Sequence, residues 1–533
     1  MARSRVLVCV ALLAGAIPFQ RVTAQTQQTA PAPASPTIKV TSALVFLDVT
    51  VLDKKNHPVV TGLTKDDFTI TEDKTPQPIF SFEAPQTHLN QPNLSDDNPT
   101  GKTPLTILVL DQLNSGFNTF ATIRYEAELF LKSQPQRLPS PTELLVVGND
   151  SMQMLQSFTT SRADLLDALH RLPPSLPYKH MSGTFAWERF GQSLDALVQI
   201  ALQNKGVPGR KNVIWIGHGS PNVYLDPRLE APKIISELKQ YEHSTTNMLV
   251  DARISLFVIY PALRSRGNVA TFSAMEAVND IGDDPLSGDI NFGLFANETG
   301  GKLFYNRNNV SDEMKETEQM GANYYTLTYQ PQDISPDGKF RRVRVTLRNP
   351  DLRAVTKAGF YAPDADAPIN PREERMIKLT DAVKSTILFD ALGVSLSNVL
   401  HQPDAHAAEF TVQLKSKNVA FQPADTGTST ANLTVAAASL DQYGNILAWR
   451  TDTDTLVAHS TNPTNLPDVL SRFPLTLHVP RKTTRVRVII QAEDGGQIGS
   501  AELDRKTLDS APATATGQPT NAPQPTPNPS SLH

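Results

Sequence analysis

Cysteine is almost missing from this chain: among 533 residues only Cys9 carries a thiol. Because Cys9 falls inside a leader-like stretch, the chain that follows has no means to form disulfides, thiolate metal sites or a cysteine nucleophile. Long apolar runs are missing too. Residues 6–17 are apolar, but about a dozen residues fall short of the roughly 20 needed to cross a bilayer. Arg3 and Arg5 precede that run and Val22-Thr23-Ala24 follows it, before Gln25. This order is that of a secretory signal peptide. Val6, Leu7 and Val8 lie too early for a lipoprotein-type cleavage site. The expectation is a soluble exported protein, periplasmic or secreted, with no membrane span in the mature chain.

Charge of one sign is also scarce. Lys and Arg number 49 against 54 Asp and Glu, a net charge of −5, and no basic stripe offers a footprint for nucleic acid or anionic lipid. Several catalytic signatures are absent. There is no His-Glu-x-x-His zinc motif. Gly217-His218-Gly219-Ser220 sets a histidine beside a serine but lacks the Gly-x-Ser-x-Gly turn of a nucleophile elbow. Gly191-Gln192-Ser193-Leu194-Asp195 lacks the second glycine and falls inside an expected helix. Gly206-Val207-Pro208-Gly209-Arg210-Lys211 lacks the Gly-Lys-Ser/Thr ending of a phosphate loop and precedes a strand. Asp280, Asp283, Asp284 and Asp289 do not have EF-hand spacing and read as a solvated loop. Trp187, Phe185 and Phe190 fit a helix core better than a partner rim.

What the chain does have is enough apolar residue, 39%, to bury real cores, and 41 prolines, which suit β modules joined by extended linkers. After the leader (1–24), residues 25–37 read as a linker. Residues 38–86 alternate apolar and polar positions, with Val45, Leu47, Val49 and Val51 in the first run, and predict a small antiparallel β module. Residues 87–103 form a second linker. From 104 the pattern changes. Near-continuous apolar runs at 106–110, 144–147, 213–216 and 254–259 alternate with helical stretches at 120–132, 161–172, 187–203 and 234–249. Gly300-Gly301 ends a further helix before the run 303–305. Apolar strands alternating with helices predict a doubly wound, mostly parallel α/β sheet covered on both faces. Residues 324–329 and 342–347 alternate, and are expected to pair with each other as an antiparallel appendix closing a domain over 104–363. Short strand candidates between 409 and 491 predict a β-rich, sandwich-like C-terminal domain over 364–510. Residues 511–533, rich in Pro, Thr, Ala and Asn, predict a disordered tail.

Several segments carry a resemblance in the expected order. They are Phe46–Phe68 leading to Thr71–Ile79, then Glu298-Thr-Gly-Gly-Lys-Leu-Phe-Tyr305, Tyr324–Pro331 with Asp337–Val343, and Gly359–Pro363. Over about 40–363 the chain resembles exported VWFA-related proteins of the Acidobacterial type, which carry a von Willebrand factor A-like domain. That resemblance implies a ligand edge beyond the carboxyl ends of the strands. It also implies a divalent cation there, Mg²⁺ or Ca²⁺, held by oxygen ligands. The matching positions are Asp111 and Ser115 in the first loop and Thr184 in a later one. Two elements depart from the pattern. Leu113 stands where a first serine belongs, with Asn114 adjacent but out of register, and His218 replaces a carboxylate after the middle strand. A neutral imidazole suits Zn²⁺ better than Mg²⁺. An altered metal site, or none, therefore stays open.

The reading drawn from these residues is an exported, non-catalytic protein-binding chain, engaged in adhesion or interaction with a protein partner in the envelope or outside the cell. Its binding edge is expected at 111–117, 181–184 and 218–222, with Asn114, Ser182, His218 and Ser220 on it. One alternative is an exported hydrolase using His218 and Ser220; another is a structural envelope protein.

Overall fold

The architecture is that of a computed structural model, which describes residues 44–89, 103–149, 151–172, 186–221, 232–261, 292–307, 309–333, 335–363, 371–416, 419–424, 427–458, 470–493 and 495–513. The expected signal peptide at 1–24, the expected linker at 25–37, the four-aspartate stretch at 280–289, Phe185 and nearly all of the expected tail lie outside them.

In chain order, the first elements are β1 (Val45–Leu52), β2 (Phe68–Glu72), β3 (Thr75–Gln77), β4 (Ile79–Glu83) and the short helix α1 (Pro85–Leu89). The central unit follows with β5 (Leu105–Asp111), α2 (Phe117–Ser133), β6 (Arg137–Val147), β7 (Met152–Ser161), α3 (Arg162–Arg171), α4 (Ala186–Asn204) and β8 (Lys211–Ile216). It continues through α5 (Pro232–Asp251), β9 (Ile254–Pro261), α6 (Phe292–Glu298), β10 (Lys302–Arg307) and α7 (Val310–Ala322). Then come β11 (Tyr325–Tyr329), β12 (Phe340–Leu347), β13 (Arg353–Val355), β14 (Gly359–Tyr361) and α8 (Pro371–Lys384). The last stretch holds β15 (Gly393–Gln402), β16 (Ala407–Lys415), β17 (Gln422–Pro423), β18 (Ser429–Leu440), β19 (Ile446–Ala458), β20 (Leu470–His478), β21 (Arg485–Ala492), β22 (Ile498–Asp504) and α9 (Arg505–Ser510).

The central sheet has six strands in the order β10-β9-β8-β5-β6-β7. All neighbours are parallel except β6 and β7. Every residue of β5, β8 and β9 is buried, as expected for strands covered on both faces. Two apolar layers result. Ile107, Val109, Val213, Trp215, Leu256 and Val258 face α4 and its neighbours. Leu108, Leu110, Ile214, Ile216, Phe257 and Ile259 face α2, α3 and α7. Helix α3 starts where the sequence places its cap: the Ser161 hydroxyl accepts from the Asp164 N–H at 3.3 Å, and Leu165 and Leu169 are fully buried beneath it.

The expected pairing of the two alternating runs after the sheet is not what forms. β11 pairs with β1 on one side and β4 on the other, and β12 pairs with β2 and β14. The apolar face of β11 (Tyr325, Leu327, Tyr329) packs with Leu47, Val49, Phe68, Ile70, Val343 and Val345 into one core. The N-terminal β module is therefore completed by strands that follow the α/β unit, because neither set alone can cover its apolar face.

After α8, the three-stranded sheet β15-β16-β20 faces a second sheet built on β17, β18, β21 and β22 with β19 beside β18. Phe410, Val412 and Leu414 from one meet Leu433, Val435, Val488 and Ile490 from the other. Leu379, Ala382 and Val383 of α8 share a core with Leu194 and Leu197 of α4 and with Ala436, Ala438 and Ile489 of the second sheet.

Candidate functional site

The strand order reverses between β5 and β8. Adjacent parallel strands whose outgoing connections diverge leave a crevice at their carboxyl ends, where open α/β sheets place ligands. Asp111 closes β5 at this point and Gly217-His218-Gly219 follows β8.

The first loop is fixed by its own sequence. After Asp111 the N–H groups of Gln112 and Leu113 both donate to Val147 O, at 3.0 and 2.9 Å. This turn carries the Leu113 side chain into the core, fully buried. Burial of a leucine contributes about 2 kcal/mol, so position 113 serves packing and turns away from the rim. Asp111 is fully buried too. Its Oδ1 accepts from the Asn114 backbone N–H at 2.9 Å and its Oδ2 from the Gly219 N–H at 2.7 Å. Burial pushes the Asp111 carboxyl up to about 6, while the N–H donors of Asn114 and Gly219 pull it down. The Trp215 indole N–H also faces the carboxylate and lowers it, although it makes no hydrogen bond of normal geometry.

The Asn114 carboxamide binds the two loops to a third element. Its Nδ2 donates to Gly219 O at 2.8 Å and to Ser193 Oγ of α4 at 3.0 Å, and lies 3.4 Å from Asp111 Oδ1. Ser193 donates its own hydrogen to Arg189 O at 2.8 Å. The sequence reading does not include Ser193 in the site. Its signal was a serine at a buried position in the stripe Phe190, Ser193, Leu194, Leu197, at helical spacing where apolar residues belong. The close approach of the loops depends on glycine. Gly217 has φ +141°, and a Cβ there would lie 2.4 Å from Asp111 Cβ. Gly219, at φ +76°, runs against the Phe292 ring.

His218 is half-buried, with its ring 5.3 Å from that of Tyr260. Burial pushes its pKa down, so the imidazole is neutral near pH 7, and its Nδ1 has no hydrogen-bond partner among the described residues. The Ser220 hydroxyl donates to Pro221 O at 3.1 Å, and no hydrogen bond joins it to the His218 ring among the described residues. Ser115 Oγ is buried with no such partner. Thr184 and Ser182, and with them the second edge segment, lie outside the described residues. Among the described residues no cluster of three or more His, Cys, Asp or Glu side chains is placed to hold a metal.

Among the described residues three aromatic side chains remain exposed at the carboxyl-end side of the sheet: Phe117 (57%) opening α2, Trp187 (39%) opening α4 and Tyr305 (36%) on β10. Phe190 is core, as expected, but Trp187 only edges onto it at 6.4 Å. Tyr305 leans on Tyr260 at 5.8 Å, which links it to His218.

No family model matches the chain, and no curated protein matches it in sequence. Solved structures give distant likenesses. The VWA domain of SpRpn10 is 16% identical, over 38% of this chain and 88% of that one, with a TM-score of 0.21. Proximal thread matrix protein 1 from the mussel byssus is 13% identical, over 43% and 47%, at 0.22. The human COPII-coat protein Sec24c is 8% identical, over 56% and 47%, at 0.22. Scores this low leave the fold to be argued from its own strands. These define a mixed α/β protein: a mostly parallel six-stranded sheet with antiparallel β sheets before and after it.

Proposed function

We propose that this chain works outside the cytoplasm as a non-catalytic binding protein, docking a protein partner on the carboxyl-end rim of a von Willebrand A-like sheet. The observation that carries the reading is the rim at the strand-order reversal. There Asp111, Asn114 and Gly219 hold two loops rigid, and Phe117, Trp187 and Tyr305 stand exposed nearby. Rigid loops flanked by exposed aromatics suit protein recognition, because aromatic anchors contribute most of the energy of such interfaces.

Hydrolysis has less support. A serine nucleophile needs a base within hydrogen-bond reach, whereas the Ser220 hydroxyl is engaged by Pro221 O. Site-specific photocrosslinking from position 117 in envelope extract tests the binding reading. The expected result is one discrete adduct, lost in a Trp187→Ala/Tyr305→Ala variant that keeps the wild-type melting temperature. An adduct pattern indifferent to those changes would leave a structural envelope role. Ester hydrolysis abolished by Ser220→Ala would replace the reading altogether. Export is tested separately by sequencing the N-terminus of the mature chain, which is expected to begin at Gln25.

A further inference from the structure

We propose that the Asn114 carboxamide takes the place a divalent cation would hold at this rim, so that the rim is closed to cations and meets its partner without a metal bridge. Only the last clause rests on the binding reading above.

Three acceptors from three segments converge on Asn114 Nδ2: Gly219 O at 2.8 Å, Ser193 Oγ at 3.0 Å and Asp111 Oδ1 at 3.4 Å. The Ser193 hydrogen is committed to Arg189 O, so its oxygen offers Asn114 only lone pairs. Because all three partners accept, the amide has one sensible orientation; flipped, its oxygen would face three oxygens. The two amide hydrogens serve the two shorter contacts. The third acceptor, Asp111 Oδ1, already has the Asn114 backbone N–H at 2.9 Å.

Converging oxygens from separate segments are what a hard cation needs. Here the point of convergence is filled by a nitrogen carrying hydrogens, which repels a cation while making the same cross-link. Among the described residues the surroundings offer no second pocket of that kind. Leu113 is buried in the core, Asp111 Oδ2 is held by the Gly219 N–H, and His218 packs by Tyr260. Among the described residues Ser115 Oγ, Asn114 Oδ1 and His218 Nδ1 lack a hydrogen-bond partner, but one hydroxyl, one amide oxygen and one imidazole fall short of the six oxygens or so that Mg²⁺ or Ca²⁺ gathers.

The test is calorimetric titration and thermal melting of the exported chain with Mg²⁺, Ca²⁺ or Mn²⁺, against a chelator control. The wild type is expected to give no binding heat and a melting temperature indifferent to cation and chelator. Asn114→Asp sets a second carboxylate against Asp111. Its melting temperature is expected to fall in chelator and to recover with millimolar divalent cation. A saturable heat or upward shift in the wild type would overturn the proposal. If Asn114→Asp does not fold, Asn114→Ser serves, and should melt lower than wild type with or without cation. An unchanged melting temperature in that variant overturns the cross-link. Neither readout involves a partner, so failure of the binding reading and failure of this proposal are separately visible.

Discussion

At the scale of single residues, the rim depends on what cannot be added. Gly217 approaches Asp111 too closely for any Cβ, and its φ of +141° is one that other residues rarely adopt. Gly217→Ala is expected to cost at least ~2 kcal/mol, read as a lowered denaturation midpoint, because backbone strain and the clash with a buried carboxylate add. The strand end at Asp111 was legible from sequence because a mostly apolar run, 106–110, stopped at a carboxylate. The role of Asn114 was not. In a list of ligand positions it stood out of register, and only the fold shows that Ser193, 79 positions away, brings an acceptor to its amide. The loop glycines were visible as Gly217-His218-Gly219, but their reason, contact with Asp111 and Phe292, is tertiary.

Among the elements, β5, β8 and β9 were read to within two residues at each end, whereas β6 was read only over 144–147 and the half-covered β7 and β15 were missed. β7 lies at an edge with most positions only part-buried, and its mixed Met, Gln, Ser and Thr give no clear period. α7 was missed for a related reason: its buried stripe is Val310, Met314, Thr317 and Gly321, two of which carry no apolar signal. Within β6, Glu143 shows a local preference overridden by position. It is fully buried on the α4 side, where Gln203 Nε2 donates to its Oε1 at 2.7 Å. Burial, with help from the nearby charge of Asp390, holds its carboxyl well above the usual range, against the pull of Gln203. A raised carboxyl pKa means that the folded state binds its proton more tightly. The stability from Glu143 is thus complete below the ordinary glutamate pKa and lost as pH rises through the raised one. Glu143→Gln keeps the acceptor for Gln203 and removes the charge. It is expected to be more stable than wild type at pH 8, by about 1 kcal/mol or more, with the advantage vanishing near pH 4. Parallel melts across that range measure it; an advantage independent of pH would refute the buried-charge explanation.

For the whole molecule, the joint between the β module and the α/β unit is polar and largely buried. Asp48 of β1 receives Arg253 at 3.1 and 2.5 Å and the Thr326 hydroxyl at 2.9 Å. Burial opposes its ionisation, but Arg253 and the other contacts outweigh this and hold its pKa below the usual range. Arg210, which is fully buried, donates to Thr50 Oγ1 at 2.8 Å and Ser255 Oγ at 3.0 Å. Asp48→Ala would leave these cations without their carboxylate and should cost about 3 kcal/mol or more, seen as a drop in the unfolding midpoint. Asp48→Ala with Arg253→Met should recover part of that loss. The interleaving itself was illegible locally: β1 meets β11 across more than 270 positions, as in Leu47 opposite Leu327, and nothing in either strand names its mate. Deleting residues 1–103 should strip β11 of both neighbours, and the remainder is expected to aggregate on expression, as an uncovered edge with a bare apolar face would. Recovery of a soluble, cooperatively melting remainder would contradict this.

A consequence for proteolysis follows from β11 lying between β1 and β4. One cut between 90 and 102 would sever the covalent thread but not the ladder on either side of β11, nor the Asp48–Arg253 pair. The short N-terminal piece should then co-migrate with the rest of the chain on a sizing column and part from it only in denaturant. The two pieces, co-expressed as separate chains, should likewise be recovered as one soluble complex.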